Sequence, residues 1–150
     1  MINGYIPAAR FLPFLSWTDV AALPDKSNTV IVLPTGAIEQ HGPHLPCSVD
    51  SVISSGVAGH ALARLPATIP AYAIPPIVYG KSEEHLHFPG TLTLSGDTLL
   101  HTLLEIAESL YRAGFRKLLM INGHGGQPQI LQIACREMRL RHGDFIAIPH

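Results

Sequence analysis

Four side chains of types that commonly bind metal ions lie within residues 33–50, in a chain with only 14% charged residues. Glu39 and His41 are separated by one residue, and in an extended segment alternate residues project to the same side. Asp50 stands at a predicted helix start, where backbone N–H groups favour a carboxylate. His44 has a proline on either side of it, which favours a place in a pocket wall. Glu39, His41 and Asp50 are therefore the candidate ligands of a divalent cation.

A second loop supplies a further histidine. His124 lies in the sequence NGHGG, directly after the apolar run 117–121, and the glycines leave backbone N–H groups exposed to a substrate. Carboxylate oxygens and imidazole nitrogens without thiolates suit Zn²⁺, Mn²⁺ or Fe²⁺ and argue against a structural zinc finger. Two such ions about 4 Å apart would lower the pKa of a shared water and polarise a carbonyl. This arrangement is typical of amide hydrolysis.

A third group of ionisable residues lies in residues 79–95, which we predict to form a loop over the pocket. Glu84 and His85 are the candidate catalytic residues there, able to orient substrate or water or to donate a proton. The alternation of His85 with His87 is equally typical of surface histidines. Cys47 could be a soft ligand, but a lone cysteine is more often a small core residue.

The elements that position these loops alternate between strand and helix. Such alternation predicts βαβ units, hence a mostly parallel sheet with helices on both faces, in which ligands bind beyond the carboxyl ends of the strands. We predict an α/β domain of three α/β/α layers. The predicted helices are 16–23, 50–62, 95–114 and 128–141, and the predicted strands are 29–33, 76–79, 117–121 and 145–149.

Composition narrows the class of protein. The net charge of −1, without a run of like charge, gives no support to nucleic-acid or membrane-surface binding and favours small-molecule chemistry. Hydrophobic residues make up 47% of the chain, which predicts a large core or an oligomer interface. The two cysteines form no C-x-x-C motif, and we find no signal peptide or membrane anchor, so we expect a cytoplasmic protein.

Three linked motifs resemble the creatininase family of metal-dependent amidohydrolases. They are PTGAIEQHGPHLP with the later Asp50, then EHLHFPGTLTLS, then INGHGG, in that order from Trp17 onward. The resemblance implies a layered α/β/α fold, a homo-oligomer that is commonly a hexamer, and a small amide as substrate. It further implies that Glu39 and His124 bind one metal ion, that His41 binds a second, and that Asp50 bridges the two.

The sequence departs from the family at one expected ligand. Creatininase proper has a glutamate two residues after the histidine of Asn-Gly-His, where this sequence has Gly126, and other members take a glutamate from a later motif. Family members are also longer, so we expect residues 1–150 to form a single creatininase-like domain without the C-terminal part of the fold. The predicted function is hydrolysis of a non-peptide C–N bond. The alternative is a catalytically incomplete fragment that binds metal or a partner subunit without turnover.

Overall fold

A computed structural model describes residues 2–150 and places four parallel strands in one sheet. The strands are β1 (Val30–Thr35), β2 (Ala71–Ala73), β3 (Lys117–Asn122) and β4 (Ile146–Pro149), and their order in the sheet is β2-β1-β3-β4. The α-helices are α1 (Trp17–Ala22), α2 (Val49–Arg64), α3 (Gly96–Arg112) and α4 (Pro128–Arg141). Short 3₁₀ turns form at Ala8–Arg10, Leu12–Phe14 and Glu83–His85.

Alternation along the strands divides the core into two halves. In β1, Ile31 and Leu33 pack with the leucines of α3 and with α4, whereas Val32 packs on the other face with Ala58 and Leu62 of α2. Successive side chains of a strand point to opposite faces, so an apolar strand requires a helix layer on each side. The predicted α/β/α layering and parallel sheet are confirmed.

The helix starts follow local capping chemistry. Ser16 accepts from the backbone N–H of Asp19 while Asp19 accepts from the backbone N–H of Ser16, which is the capping box expected at α1. Ser95 accepts from the N–H of Thr98 at the start of α3. Both helices therefore begin where the sequence predicts.

The predicted strand 76–79 is wrong as a continuous element. The strand is Ala71–Ala73, which pairs with β1, and beyond it only Ile77 pairs with Thr35, as an isolated bridge. Pro75 and Pro76 lie between them and have no N–H to donate to a ladder. The 3₁₀ turn at Glu83–His85 likewise replaces part of the predicted loop.

The two central strands end level with each other. β1 and β3 pair in register over their whole length, from Val30 opposite Lys117 to Thr35 opposite Asn122. From β1 the chain goes outward to β2, and from β3 it goes outward to β4 on the other side. The carboxyl ends of β1 and β3 thus flank the switch point at which open α/β sheets bind ligands. None of the helices within residues 2–150 is long and apolar enough to cross a membrane.

Candidate metal centre

Glu39 follows β1 in a loop that is held at both sides. Its backbone N–H donates to the carbonyl of Cys47 at 3.0 Å, and the N–H of Leu92 donates to the carbonyl of Ile38 at 2.9 Å. The Glu39 side chain is buried, and its Oε2 accepts a hydrogen bond from the Ser82 hydroxyl. The carboxylate is therefore fixed through one oxygen while Oε1 faces the loop after β3.

Asp50 lies in the first turn of α2 and is buried. Its Oδ1 is 2.9 Å from His41 Nε2, and its Oδ2 is 3.0 Å from His124 Nδ1. The helix start favours the negative charge, whereas burial opposes it. Burial is the larger influence, and with the nearby Glu39 carboxylate it outweighs the two histidines and raises the pKa of Asp50 above its ordinary value.

His124 stands between the two carboxylates. Its Nδ1 is 3.2 Å from Glu39 Oε1 as well as 3.0 Å from Asp50 Oδ2, and its ring is 3% exposed. Its Nε2 is 2.7 Å from the carbonyl of Lys81. A carbonyl only accepts, so Nε2 carries the proton of the neutral ring and Nδ1 presents a lone pair to both carboxylates.

One buried oxygen at this point has no partner. Asp50 Oδ2 has no hydrogen-bond partner among residues 2–150, although His124 Nδ1 is close. A buried acceptor left in this way is unfavourable unless a proton or a cation satisfies it. Glu39 Oε1 and Asp50 Oδ2 both lie within 3.2 Å of His124 Nδ1, and two carboxylate oxygens with an imidazole nitrogen are donors that fit a divalent cation.

Both histidines have the surroundings typical of metal ligands. His124 has one ring nitrogen on the Lys81 carbonyl, and His41 has Nδ1 3.2 Å from the Glu39 carbonyl. The remaining nitrogen of each ring faces Asp50. In metal sites the second imidazole N–H is usually donated to a carbonyl or carboxylate, which fixes the ring and its tautomer.

Glu84 and His85 lie on the neighbouring side of His124. Glu84 Oε1 is 3.9 Å from His124 Nε2, and its Oε2 is 3.5 Å from Lys81 Nζ. Partial burial acts to raise the pKa of Glu84, but a backbone hydrogen bond and the Lys81 charge outweigh it and lower that pKa. His85 Nε2 is 4.0 Å from Glu39 Oε1. Glu84 is thus a carboxylate at neutral pH beside the candidate ligands.

Gly126 makes room for Glu84. A Cβ at position 126 would overlap Glu84 Oε1 and crowd His124 Nε2. The space above Gly126, where creatininase proper has a glutamate side chain by resemblance, is therefore filled by a carboxylate from another loop.

The structure brings together all six of the candidate residues Glu39, His41, Asp50, Glu84, His85 and His124. Two sets of ligand atoms fall within 4.8 Å of one another, Glu39–His41–Asp50 and Glu39–Glu84–His124. His44 is exposed and in neither set, and Cys47 is half-buried, so neither joins the cluster.

Two buried residues that contact this site were not identified from the sequence. Ser82 bonds to Glu39, and Gln127 bonds to the loops that carry the ligands. Ser82 stands two residues before Glu84 and Gln127 three after His124, and that proximity to the motifs was the one signal available. Serine and glutamine are too common in loops for their types alone to indicate a role.

A cavity of about 340 Å³ opens beside the cluster. His85 and Phe88, which lines the cavity, have ring centroids 6.0 Å apart. The lining is mostly apolar and consists of Gln40, Gly42, Pro43, Leu45, Cys47, Phe88 and Pro89. Its volume lies at the small end of the range for ligand sites, roughly 300–1,000 Å³.

Comparison with known proteins decides the family. The family model named Creatininase, described as creatinine amidohydrolase, matches residues 13–149. This chain belongs to the creatininase family. The resemblance drawn from the three motifs is therefore confirmed.

Similar creatininase-family proteins differ in their substrates. The mycofactocin precursor peptide peptidase of Mycolicibacterium smegmatis is 36% identical over 122 residues, covering 80% of this chain and 49% of that protein. Creatinine amidohydrolase of Pseudomonas putida is 34% identical over 159 residues, covering 93% of this chain and 60% of that protein. The chain thus spans about half the length of the curated relatives it matches.

A solved structure described as creatininase Mn has the same fold. It superposes with a TM-score of 0.79 at 33% identity, covering 94% of this chain and 57% of that one.

Proposed function

We propose that this chain forms the divalent-metal site of a hydrolase that cleaves an amide C–N bond. The observation that carries this proposal is the approach of Glu39 Oε1 and Asp50 Oδ2 to one nitrogen, His124 Nδ1, at 3.2 and 3.0 Å. Repulsion between these lone pairs is relieved by a cation between them. The manganese in the name of a creatininase structure is further support for metal dependence in the family.

Glu39, Asp50 and His124 would hold one ion, and His41 a second. Asp50 has one oxygen toward each histidine, which supports its role as the bridge between two sites. A divalent cation bound there would polarise the scissile carbonyl and lower the pKa of a water molecule. The nitrogen and oxygen donors suit Zn²⁺, Mn²⁺ or Fe²⁺.

His85 is the proposed proton donor. Hydrolysis places the oxygen of water on the carbonyl carbon and a proton on the departing nitrogen, so the site needs both a proton acceptor and a donor. Gln40 Oε1 accepts from the N–H of Gly42 at 2.9 Å, which turns Gln40 Nε2 toward His85 Nδ1 at 3.3 Å. In the neutral ring His85 Nδ1 accepts this bond and Nε2–H points toward the ligand cluster. His85 would act as the acid in its imidazolium form, in which Nδ1 no longer accepts from Gln40, and Nε2 would give its proton to the departing nitrogen.

Glu84 is the proposed proton acceptor. Its pKa is lowered and it pairs with Lys81, so it is ionised at neutral pH and suited to accept a hydrogen bond from water or substrate. Glu83 also pairs with Lys81, at 3.3 Å, but belongs to neither set of close ligand atoms. Glu83→Gln is therefore the matched control for Glu84→Gln.

The cavity beside His85 is the proposed place for the group next to the scissile bond. Its volume of about 340 Å³ suits a small cyclic or linear amide, or one side chain of a peptide. Both substrate classes occur by name among the relatives, as creatinine and as a precursor peptide. The predicted choice of a non-peptide amide stays part of the proposal.

Metal analysis of the purified 150-residue chain tests the proposal. After Zn²⁺ or Mn²⁺ is supplied and excess removed, plasma mass spectrometry should find up to two ions per chain. Asp50→Ala should release both, and His41→Ala mainly one. His44→Ala, in the same loop but outside the cluster, should bind as the wild type does. Equal metal content in wild type and Asp50→Ala would refute the assignment.

Hydrolysis of a panel of amides, with creatinine and short peptides among them, tests turnover. Ring opening of cyclic amides such as creatinine, or release of an amine from linear amides and peptides, is expected with the metal-loaded chain and not with Asp50→Ala. Metal binding without any hydrolysis would favour the alternative, a metal-binding chain that is catalytically incomplete. The homo-oligomer, a hexamer by resemblance, also stays a prediction. Light scattering of the protein as it elutes from a size-exclusion column measures the mass of the assembly and so tests it.

A further inference from the structure

Gln127 is a buried amide at the centre of the loops that carry the candidate ligands. It lies between the Gly-rich loop of His124 and the start of α4, and it is 1% exposed. A glutamine amide has two donor hydrogens and an acceptor oxygen, and burial requires that they be satisfied. The partners of this amide therefore indicate what it holds.

The amide bonds to three different segments. Nε2 donates to Asn122 Oδ1 at 2.9 Å and to the carbonyl of Gly36 at 3.3 Å. Oε1 accepts from the N–H of Lys81 at 3.3 Å. These partners lie at the end of β3, just after β1, and in the loop that leads to Glu84. They are the three segments that carry the six candidate residues, apart from Asp50 on α2.

Each bond continues to a candidate ligand. Asn122 Nδ2 donates to the carbonyl of His124 at 2.7 Å, and Asn122 Oδ1 accepts from the N–H of His124 at 3.2 Å. Lys81, whose N–H is held by Gln127, accepts the Nε2–H of His124 on its carbonyl at 2.7 Å. Gln127 thus fixes His124 from both its backbone and its ring, through Asn122 and Lys81.

The same network fixes the orientation of the amide. Asn122 Oδ1 is an acceptor because its Nδ2 is committed to the His124 carbonyl, and Gly36 offers only a carbonyl. If the amide nitrogen and oxygen of Gln127 were exchanged, Oε1 would face two other acceptors, Asn122 Oδ1 and the Gly36 carbonyl. It would also place the NH₂ group against the Lys81 N–H.

Two observations separate this arrangement from an ordinary helix cap. Gln127 precedes the first residue of α4, yet its side chain makes no capping hydrogen bond to that helix. Opposite it, a Cβ at Gly80 would overlap both Gln127 Oε1 and the Gly36 carbonyl. The amide is therefore packed tightly between the loops instead of satisfying the helix start.

We propose that Gln127 is a positioning residue that orients His124 for metal binding by joining the loops after β1, before Glu84 and after β3. The inference rests on the proposed metal site. It assigns Gln127 no contact with the metal or the substrate. Loss of the amide should leave the ligands present but the His124 ring free to turn and to change its tautomer.

Gln127→Met tests this with a side chain of similar length that makes none of the three bonds. The control is Thr29→Val, another residue 1% exposed, whose hydroxyl bonds to the Asp25 carbonyl at the far end of β1. Zn²⁺ affinity is measured by competition with a chromophoric chelator, well below the melting temperature of each variant. Gln127→Met should bind Zn²⁺ about 10–100-fold more weakly, as measured for other outer residues of metal sites. Thr29→Val should lower the melting temperature and leave the affinity within about twofold of the wild type.

Nitrogen NMR of the histidine side chains in the metal-free protein tests the role of Gln127 without any bound metal. The His124 ring should show the Nε2–H tautomer in wild type and in Thr29→Val, and a mixture in Gln127→Met. Wild-type protein that binds no Zn²⁺ would overturn the proposed function. The His124 spectra would still test whether Gln127 orients the His124 ring. His124 spectra that are the same in Gln127→Met as in the wild type would overturn the inference. If the wild type binds Zn²⁺, equal Zn²⁺ affinity in Gln127→Met would overturn it as well. Gln127→Asn, an amide too short to reach all three partners, replaces Gln127→Met if that variant does not fold.

Discussion

Asp50 faces a different histidine with each of its carboxylate oxygens, and this makes it the most constrained of the candidate ligands. Burial, the larger influence, raises its pKa, because a charged carboxylate is less stable there than in water. The unpartnered Oδ2 belongs to the same unfavourable arrangement. A cation bound beside Asp50 would relieve both the buried charge and the unpartnered oxygen.

Asp50→Asn should raise the melting temperature of the metal-free protein at pH 7. A carboxyl with a raised pKa in the folded state favours folding when protonated, and this contribution is lost as the pH rises through that pKa. The neutral amide of Asp50→Asn does not ionise and so does not lose this stability. The difference in melting temperature between the variant and the wild type should therefore shrink as the pH falls below the ordinary pKa of aspartate. Thermal unfolding in chelator at several pH values measures this. An advantage that grows toward acid pH would contradict it.

His85→Ala should lower kcat by about 10²–10⁴-fold on whichever amide the chain hydrolyses, which is the usual contribution of a positioned proton donor. His87→Ala is the matched control. His87 is exposed, packs on Phe88 with ring centroids 4.2 Å apart, and belongs to neither set of close ligand atoms. Steady-state kinetics of both metal-loaded variants provide the measurement. Equal rates for the two variants would remove His85 from the mechanism.

The sequence indicated candidate ligands but not the residues that hold them in place. Glu39, His41, Asp50 and His124 could be predicted as candidates, and the structure brings them together, because residue type and strand-end position carry chemical meaning. The hydroxyl of Ser82 and the amide of Gln127 act through contacts 43 and 91 residues apart. No local pattern encodes such contacts, because they exist only after the loops have met.

At the scale of elements, α3 contributes the largest group of buried leucines to the core on its side of the sheet. Leu99, Leu103 and Leu110 are buried there against β1 and β3. Leu103→Ala should lower the free energy of unfolding by about 2–5 kcal/mol, because it leaves a cavity in a packed core. Leu140 on α4 is 69% exposed. Leu140→Ala should therefore change the free energy of unfolding by less than about 0.5 kcal/mol. Urea denaturation of both variants measures the difference, and equal losses would contradict the packing.

The elements themselves were predictable where periodicity was strong and unpredictable where proline interrupts it. α3 and α4 were found from their spacing, and β1 and β3 from β-branched or apolar runs ahead of polar loops. The strand predicted at 76–79 lies instead at Ala71–Ala73, because apolar residues occur throughout 66–80 and give no local preference for one position. Pairing with Val30, Ile31 and Val32 selects Ala71–Ala73 among them, and that choice depends on a tertiary partner.

At the scale of the whole molecule, metal should act as a ligand of the folded state alone. Zn²⁺ at about 100 times its Kd should add about 2.7 kcal/mol to the free energy of unfolding. For a domain of this size that is a rise of roughly 5–10 °C in Tm. Differential scanning fluorimetry with Zn²⁺ and with chelator measures it. Asp50→Ala should show no rise, and an equal rise in that variant would mean that Zn²⁺ binds elsewhere.

The level pairing of β1 and β3 also sets the order of events during synthesis. Thr35 and Asn122 meet across 87 residues, and His124 leaves the ribosome after Glu39, His41 and Asp50. At about 5–20 residues per second, His124 follows Asp50 by roughly 4 to 15 seconds. Throughout that interval the nascent chain has Glu39, His41 and Asp50 but not yet His124. We therefore expect the ion that Glu39, Asp50 and His124 would hold to bind only once β3 has joined β1.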